Sequence, residues 1–109
     1  MIDQNFIRHI LGAIERIESY TVDLTESDFM KDFMVQDAVI RNLEIIGEAS
    51  KKITVQTKEK NSNIPWKQIS GMRDKLIHNY FGVDLISVWS VIQRDLGVLK
   101  KELTKLNAD

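Results

Sequence analysis

LISVWSVIQRDLGVLKKELTKL, residues 85–106, is the stretch on which the fold turns. Advanced at about 100° per residue, Leu85, Val88, Trp89, Ile92, Leu96, Leu99, Leu103 and Leu106 gather on one face. A strand would alternate with period two, so this is an amphipathic α-helix. Asp84 stands just ahead of the stripe, where a short side-chain oxygen can accept an orphan N–H, and the helix is expected to begin there. Val91 and Val98, seven residues apart, fall on another side. Two readings stand for them: stray surface valines, or a second seam facing another subunit.

The same period recurs upstream. Phe6, Ile7, Ile10, Ala13, Ile14 and Ile17 share a face opposite Arg8, Glu15 and Ser19, which predicts a helix from about Asp3 to Tyr20. Val35, Val39, Ile46 and Ile53, flanked by Ala38, Leu43 and Ala49, predict a longer one from Phe33 to Ile53, with space for an extra turn before it. Its opposite face reads Asp37, Arg41, Glu44, Glu48, Lys51 and Lys52, spaced for a ladder of weak ion pairs in solvent. Asn42 falls inside the apolar arc and is expected to bond a neighbouring backbone group. His9 borders the first apolar face as a rim residue. Thr21 to Asp28 and Thr54 to Asn63 are polar and aperiodic, and read as connections. Pro65 starts a further helix where a missing N–H costs nothing, and Gly82 closes it. One proline, five glycines and these four stripes predict an all-α protein. The expected architecture is an antiparallel bundle of four main helices in a single domain over residues 1–109, with an extra short helix as an option.

Composition narrows the function. A chain of 109 residues can bury about two-thirds of its unfolded surface. With 28% charged and 43% hydrophobic residues it has the balance of an ordinary globular protein. It has no cysteine, which removes disulfides, thiol nucleophiles and cysteine-held zinc, and suits a reducing cytoplasm. No apolar run approaches the ~20 residues of a membrane-spanning helix, and MIDQNFIRHI lacks the pattern of a signal peptide. A net charge of −1 means that overall electrostatics will not hold nucleic acid, so RNA would need a local basic cluster or an assembled groove.

The third stripe contains an anomaly. Trp66, Ile69, Met72, Leu76, Ile77 and Tyr80 line up, yet Arg73 lies within the same arc, about 20° from Tyr80. A guanidinium there needs a carboxylate, a phosphate or many acceptors. His78 lies about 140° further round. Structural roles exist for each: Arg73 paired with Glu44 or Glu48, His78 capping a helix C-terminus, Tyr80 completing the apolar stripe. Taken together, they are a phosphate binder, a neutral-pH proton carrier and a phenol within eight residues, the parts for chemistry on a phosphodiester.

Arg73, four residues, His78, one residue, Tyr80 resembles the signature of the HepT-like ribonuclease toxins of the HEPN superfamily. QDAVIRNLEIIGEASKKI, Gln36 to Ile53, is similar to that family's second helix. PWKQISGMRDKLIHNYFGVDLISVW, Pro65 to Trp89, is similar to its signature region, and Asp74 matches the polar residue common after the arginine.

The resemblance implies a metal-independent endoribonuclease with no cofactor, acting as a cytoplasmic toxin on RNA. Arg73 and His78 would be catalytic. Asp74, four residues before His78, would orient it. Asn79 has two readings, a contact to phosphate or sugar and a solvent-facing spacer. The resemblance also implies a homodimer with both motifs on one cleft. Lys51, Lys52, Lys67 and Lys75 have two readings, an extension of that cleft's positive rim and ordinary solubilising lysines. The implied partner is a minimal nucleotidyltransferase antitoxin of the MntA type, able to form larger hetero-oligomers and to attach AMP to Tyr80. The competing expectation is a non-catalytic helical dimer that binds or presents substrate to a nucleotidyltransferase.

Overall fold

The computed structural model describes residues 2–71 and 84–107. Helix α1 spans Ile2–Thr21, α2 Glu26–Lys31, α3 Phe33–Lys51, α4 Val55–Lys60 and α5 residues 66–71. A final rod consists of α6, Leu85–Ser90, a π-helical turn at Val91–Asp95, and α7, Leu96–Asn107. No strand occurs among the described residues, and the chain is all-α as its periodicity requires. None of these helices is long and apolar enough to cross a membrane.

The predicted stripes form the core. Ile7, Ile10, Ala13, Ile14 and Ile17 of α1 are at most 1% exposed, and Val39, Leu43 and Ile46 of α3 at most 2%. α1 and α3 run in opposite directions: Asp3 meets Thr54, just past α3, while Arg16 meets Asn42 in its middle. α7 packs along α1. Leu103 is fully buried, the Gln4 amide donates to the Leu106 carbonyl at 3.2 Å, and Lys100 pairs with Glu18 at 2.9 Å.

Asn42 keeps its place in the apolar arc by satisfying both ends of its amide. Nδ2 donates to the Ala38 carbonyl at 2.8 Å and Oδ1 accepts Arg16 Nε at 2.8 Å. The expected backbone bond is present, and the arginine across the α1–α3 seam adds to it.

Two segments read as connections contain helical turns. α2 is set by a capping box: Thr25 Oγ1 accepts the Asp28 N–H, and Asp28 accepts the Thr25 N–H. The turn it fixes carries Phe29, 0% exposed, whose ring lies 5.2 Å from that of Trp89. α4 is fixed from a distance. Asp3 accepts the Thr54 N–H at 3.0 Å, the Thr54 hydroxyl at 2.6 Å and the Thr57 hydroxyl at 2.5 Å. Burial alone would push the Asp3 carboxyl up. The hydrogen bonds from Thr54 and Thr57, with Lys58 nearby, outweigh it and hold the group below its ordinary value.

The π turn has a reason in the spacing of the last stripe. Val88, Ile92 and Leu96 are all buried, four residues apart each time. In a strict α-helix that spacing drifts by about 80° over eight residues. A wider turn, in which the Leu96 N–H reaches back to the Val91 carbonyl, takes up the drift and returns Leu96 to the core.

Candidate active site and its frame

Arg73, Asp74, Lys75, His78, Asn79 and Tyr80 lie outside the described residues, as does Gly82. The structure describes the frame on either side of them. On the entry side, Pro65 begins α5 as expected, its carbonyl accepting the Ile69 N–H at 3.1 Å. Trp66 and Ile69 are 8% and 6% exposed and belong to the core, and the Trp66 indole donates to the Asn61 carbonyl at 3.1 Å.

A pair of serines ties α5 to α3. Ser50, fully buried, donates its hydroxyl to the Gly47 carbonyl at 2.9 Å. With its one proton used there, it accepts from the Ser70 hydroxyl at 3.0 Å. Neither serine stands out in the sequence. The available signal was a small hydroxyl on the apolar arc of each helix. At Gly71, the last described residue before the motif, an added Cβ would meet nothing within 4 Å among the described residues.

On the exit side Asp84 caps α6 as predicted. Its carboxylate accepts the N–H groups of Ile86 and Ser87 at 3.1 and 3.2 Å and the Ser87 hydroxyl at 2.8 Å. The described residues on either side of the motif are thus held by independent devices, a core-packed tryptophan and serine pair before it and an N-cap after it.

Three of the four rim lysines are described. Lys51 and Lys52 are exposed at the end of α3 directly after Ser50, and Lys67 is exposed one turn before Ser70. The Lys52 ammonium also lies 6.0 Å from the centre of the Phe6 ring, a cation–π approach that draws it toward α1. Along the chain, Lys51 and Lys52 directly follow Ser50 and Lys67 precedes Ser70, the two serines that join α3 and α5. His9, exposed on α1, sits on a different helix as a rim residue.

Beside α5 runs an apolar groove of about 210 Å³. Leu43, Ile46, Ile69, Val91, Leu96 and Leu99 form its floor and walls, and Asn63, which donates to Glu102 at 2.9 Å, closes part of the rim. Val91 and Val98 both line it, with Val98 64% exposed, so the two valines share one surface feature.

The family model described as "Ribonuclease HepT-like" matches residues 10–106, which takes in the Arg73–His78–Tyr80 triplet and both frames around it. This chain belongs to the HepT-like ribonuclease family. Among its relatives is a Thermococcus cleftensis protein named "Probable ribonuclease HepT", 46% identical over 103 residues and covering 94% of each chain. A second, from Methanocaldococcus jannaschii, is named "Gamma-glutamylcyclotransferase and putative RNase" and is 50% identical over 101 residues. That match takes in 93% of this chain but 46% of the relative, so the chain spans about half the length of that longer protein. No solved structure matches the chain. The HepT-like assignment agrees with the resemblance drawn from the signature residues, and the expectation of an endoribonuclease is met at the level of the family.

Proposed function

We propose that this HepT-like chain is a metal-independent endoribonuclease and the toxin of a toxin–antitoxin pair, working in the cytoplasm as one domain. The observation that carries the reading is the intact Arg73-x4-His78-x-Tyr80 triplet inside the stretch that matches the ribonuclease family. Support comes from the firmly seated start of α5 and from the lysines beside it.

RNA brings its own nucleophile, a 2′-OH next to each scissile phosphate. His78 removes that proton, the 2′-oxygen attacks phosphorus, and the 5′-oxygen leaves with a proton, giving a 2′,3′-cyclic phosphate. An imidazole with an ordinary pKa of ~6.5 serves as base and acid near neutrality. Arg73 holds the nonbridging oxygens and stabilises the charge that builds up on them in the transition state. Asp74 orients His78, and Asn79 supports phosphate or sugar.

The active form is a twofold homodimer whose cleft receives the motif of each chain. The groove containing Val91 and exposed Val98 supports a subunit-facing seam on the last rod. Control comes from a minimal nucleotidyltransferase antitoxin that transfers AMP to the Tyr80 hydroxyl. Added bulk and phosphate charge beside Arg73 and His78 exclude RNA by sterics and repulsion.

The test is RNA incubation with and without EDTA, comparing wild type with His78→Ala. Cleavage that persists in EDTA and disappears in the variant supports the enzyme. Equal inertness of both proteins overturns it in favour of a non-catalytic partner of the nucleotidyltransferase.

A further inference from the structure

The corner where α1, α2 and α3 meet has a different chemistry from the rest of the molecule. Phe33 and Met34, consecutive residues in the first turn of α3, are 74% and 81% exposed, and Val22 in the α1–α2 connection is 75% exposed. Nothing in the local fold requires apolar side chains there. Asp32 supplies the cap of α3 by accepting the Val35 N–H at 3.1 Å, and the core side of that helix begins with Gln36 and Val39. Phe33 lines a shallow hollow with Leu24, Asp28, Lys31 and Asp32. Large apolar groups left together in water mark an interaction surface.

Charge says what fits it. Residues 20–37 hold five carboxylates, Asp23, Glu26, Asp28, Asp32 and Asp37, against the single Lys31, whereas the whole chain has a net charge of −1. The remainder of the molecule is therefore net basic, and the acidity is concentrated at this corner. Two of the carboxylates cannot swing away, because Asp28 and Asp32 are held in helix caps. An RNA backbone or an anionic membrane is repelled here. A second copy docked by the same patch would oppose one set of carboxylates with another.

We propose that this corner docks a protein partner that presents apolar side chains bordered by lysine and arginine. Phe33 and Met34 supply the anchors, and the carboxylates steer and orient the partner. The inference is independent of whether the chain cleaves RNA, since it uses none of the motif residues.

The test titrates the isotope-labelled full chain with a designed amphipathic peptide of leucine and lysine, ~18 residues long so that it can form a helix. The same peptide with glutamate for lysine is the control. Expected are chemical-shift changes confined to residues 20–37, weakening with added salt, and binding about tenfold weaker in Phe33→Ser/Met34→Ser. A second variant, Asp23→Lys/Asp37→Lys, keeps the caps intact and should shift preference toward the acidic peptide, so the proposal stays testable if the first variant misfolds. Equal binding of both peptides, shifts centred elsewhere, or stronger binding to anionic vesicles would overturn it. So would a wild-type oligomer that Phe33→Ser/Met34→Ser splits, since the occupant would then be a second copy.

Discussion

Ser70 donates its hydroxyl to Ser50 at 3.0 Å, and Ser50, wholly buried on α3, donates its own hydroxyl to the Gly47 carbonyl. This contact seats α5 three residues before Arg73, which the proposed mechanism places at the RNA phosphate. Ser50→Leu forces a larger side chain into that seat and is expected to destabilise the fold by about 1–3 kcal/mol. Ser70→Ala is milder, about 1 kcal/mol, because only one neutral hydrogen bond is lost. Urea unfolding measures both. If seating matters for catalysis, Ser50→Leu also lowers RNA cleavage under conditions where it remains folded.

The Asp3 carboxylate makes a prediction with a sign. Its value in the folded chain lies below its ordinary 3.8, so its hydrogen bonds to Thr54 and Thr57 contribute stability above that pH. The contribution is lost as pH falls through the lower, folded value. Asp3→Asn should cost about 1–3 kcal/mol at neutral pH, and the gap between variant and wild type should narrow as acid protonates the native carboxyl. Parallel urea titrations at pH 7 and pH 3 check this.

Phe29 seals the α2 end of the core against Trp89. Phe29→Ala is expected to cost about 3–5 kcal/mol. Trp89 fluorescence in the folded variant should shift to longer wavelength as water reaches the indole.

Tyr80 tests the control step separately from the chemistry. Incubated with the nucleotidyltransferase and ATP, the wild-type chain should gain AMP by intact mass, while Tyr80→Phe should gain none. A variant that still gains it places the acceptor elsewhere.

The major helices were legible because hydrophobic burial dominates their energetics and leaves a 3.6-residue period: Ile7 to Ile17, Val39 to Ile46 and Val88 to Leu103 all reached the core. The short helices were harder to read, because α2 and α4 owe their existence to caps and a remote carboxylate rather than to a stripe. Thr25 and Asp28, three apart before Phe29, were the readable signal for α2. Nothing local could have announced that Asp3 would meet Thr54. The π turn was encoded in the four-residue steps from Val88 to Leu96. The candidate site was legible only as chemistry: Arg73 stood out as a charge among apolar residues, whereas spacing along one helix does not say which groups a fold or a second chain brings together. The acidic corner required both charge counting and exposure, since Phe33 and Met34 look like core residues in sequence.

In the proposed mechanism Arg73 and His78 act on one RNA phosphate through attack by the adjacent 2′-oxygen. The most direct measurement compares an RNA oligonucleotide with its 2′-O-methyl counterpart, in EDTA, with product ends read by mass spectrometry. Expected are fragments ending in a 2′,3′-cyclic phosphate from the first substrate, no cleavage of the second, and none of either by His78→Ala or Arg73→Ala. Cleavage of the methylated RNA at a similar rate, or a first product carrying a 5′-phosphate and a free 3′-hydroxyl, would contradict it.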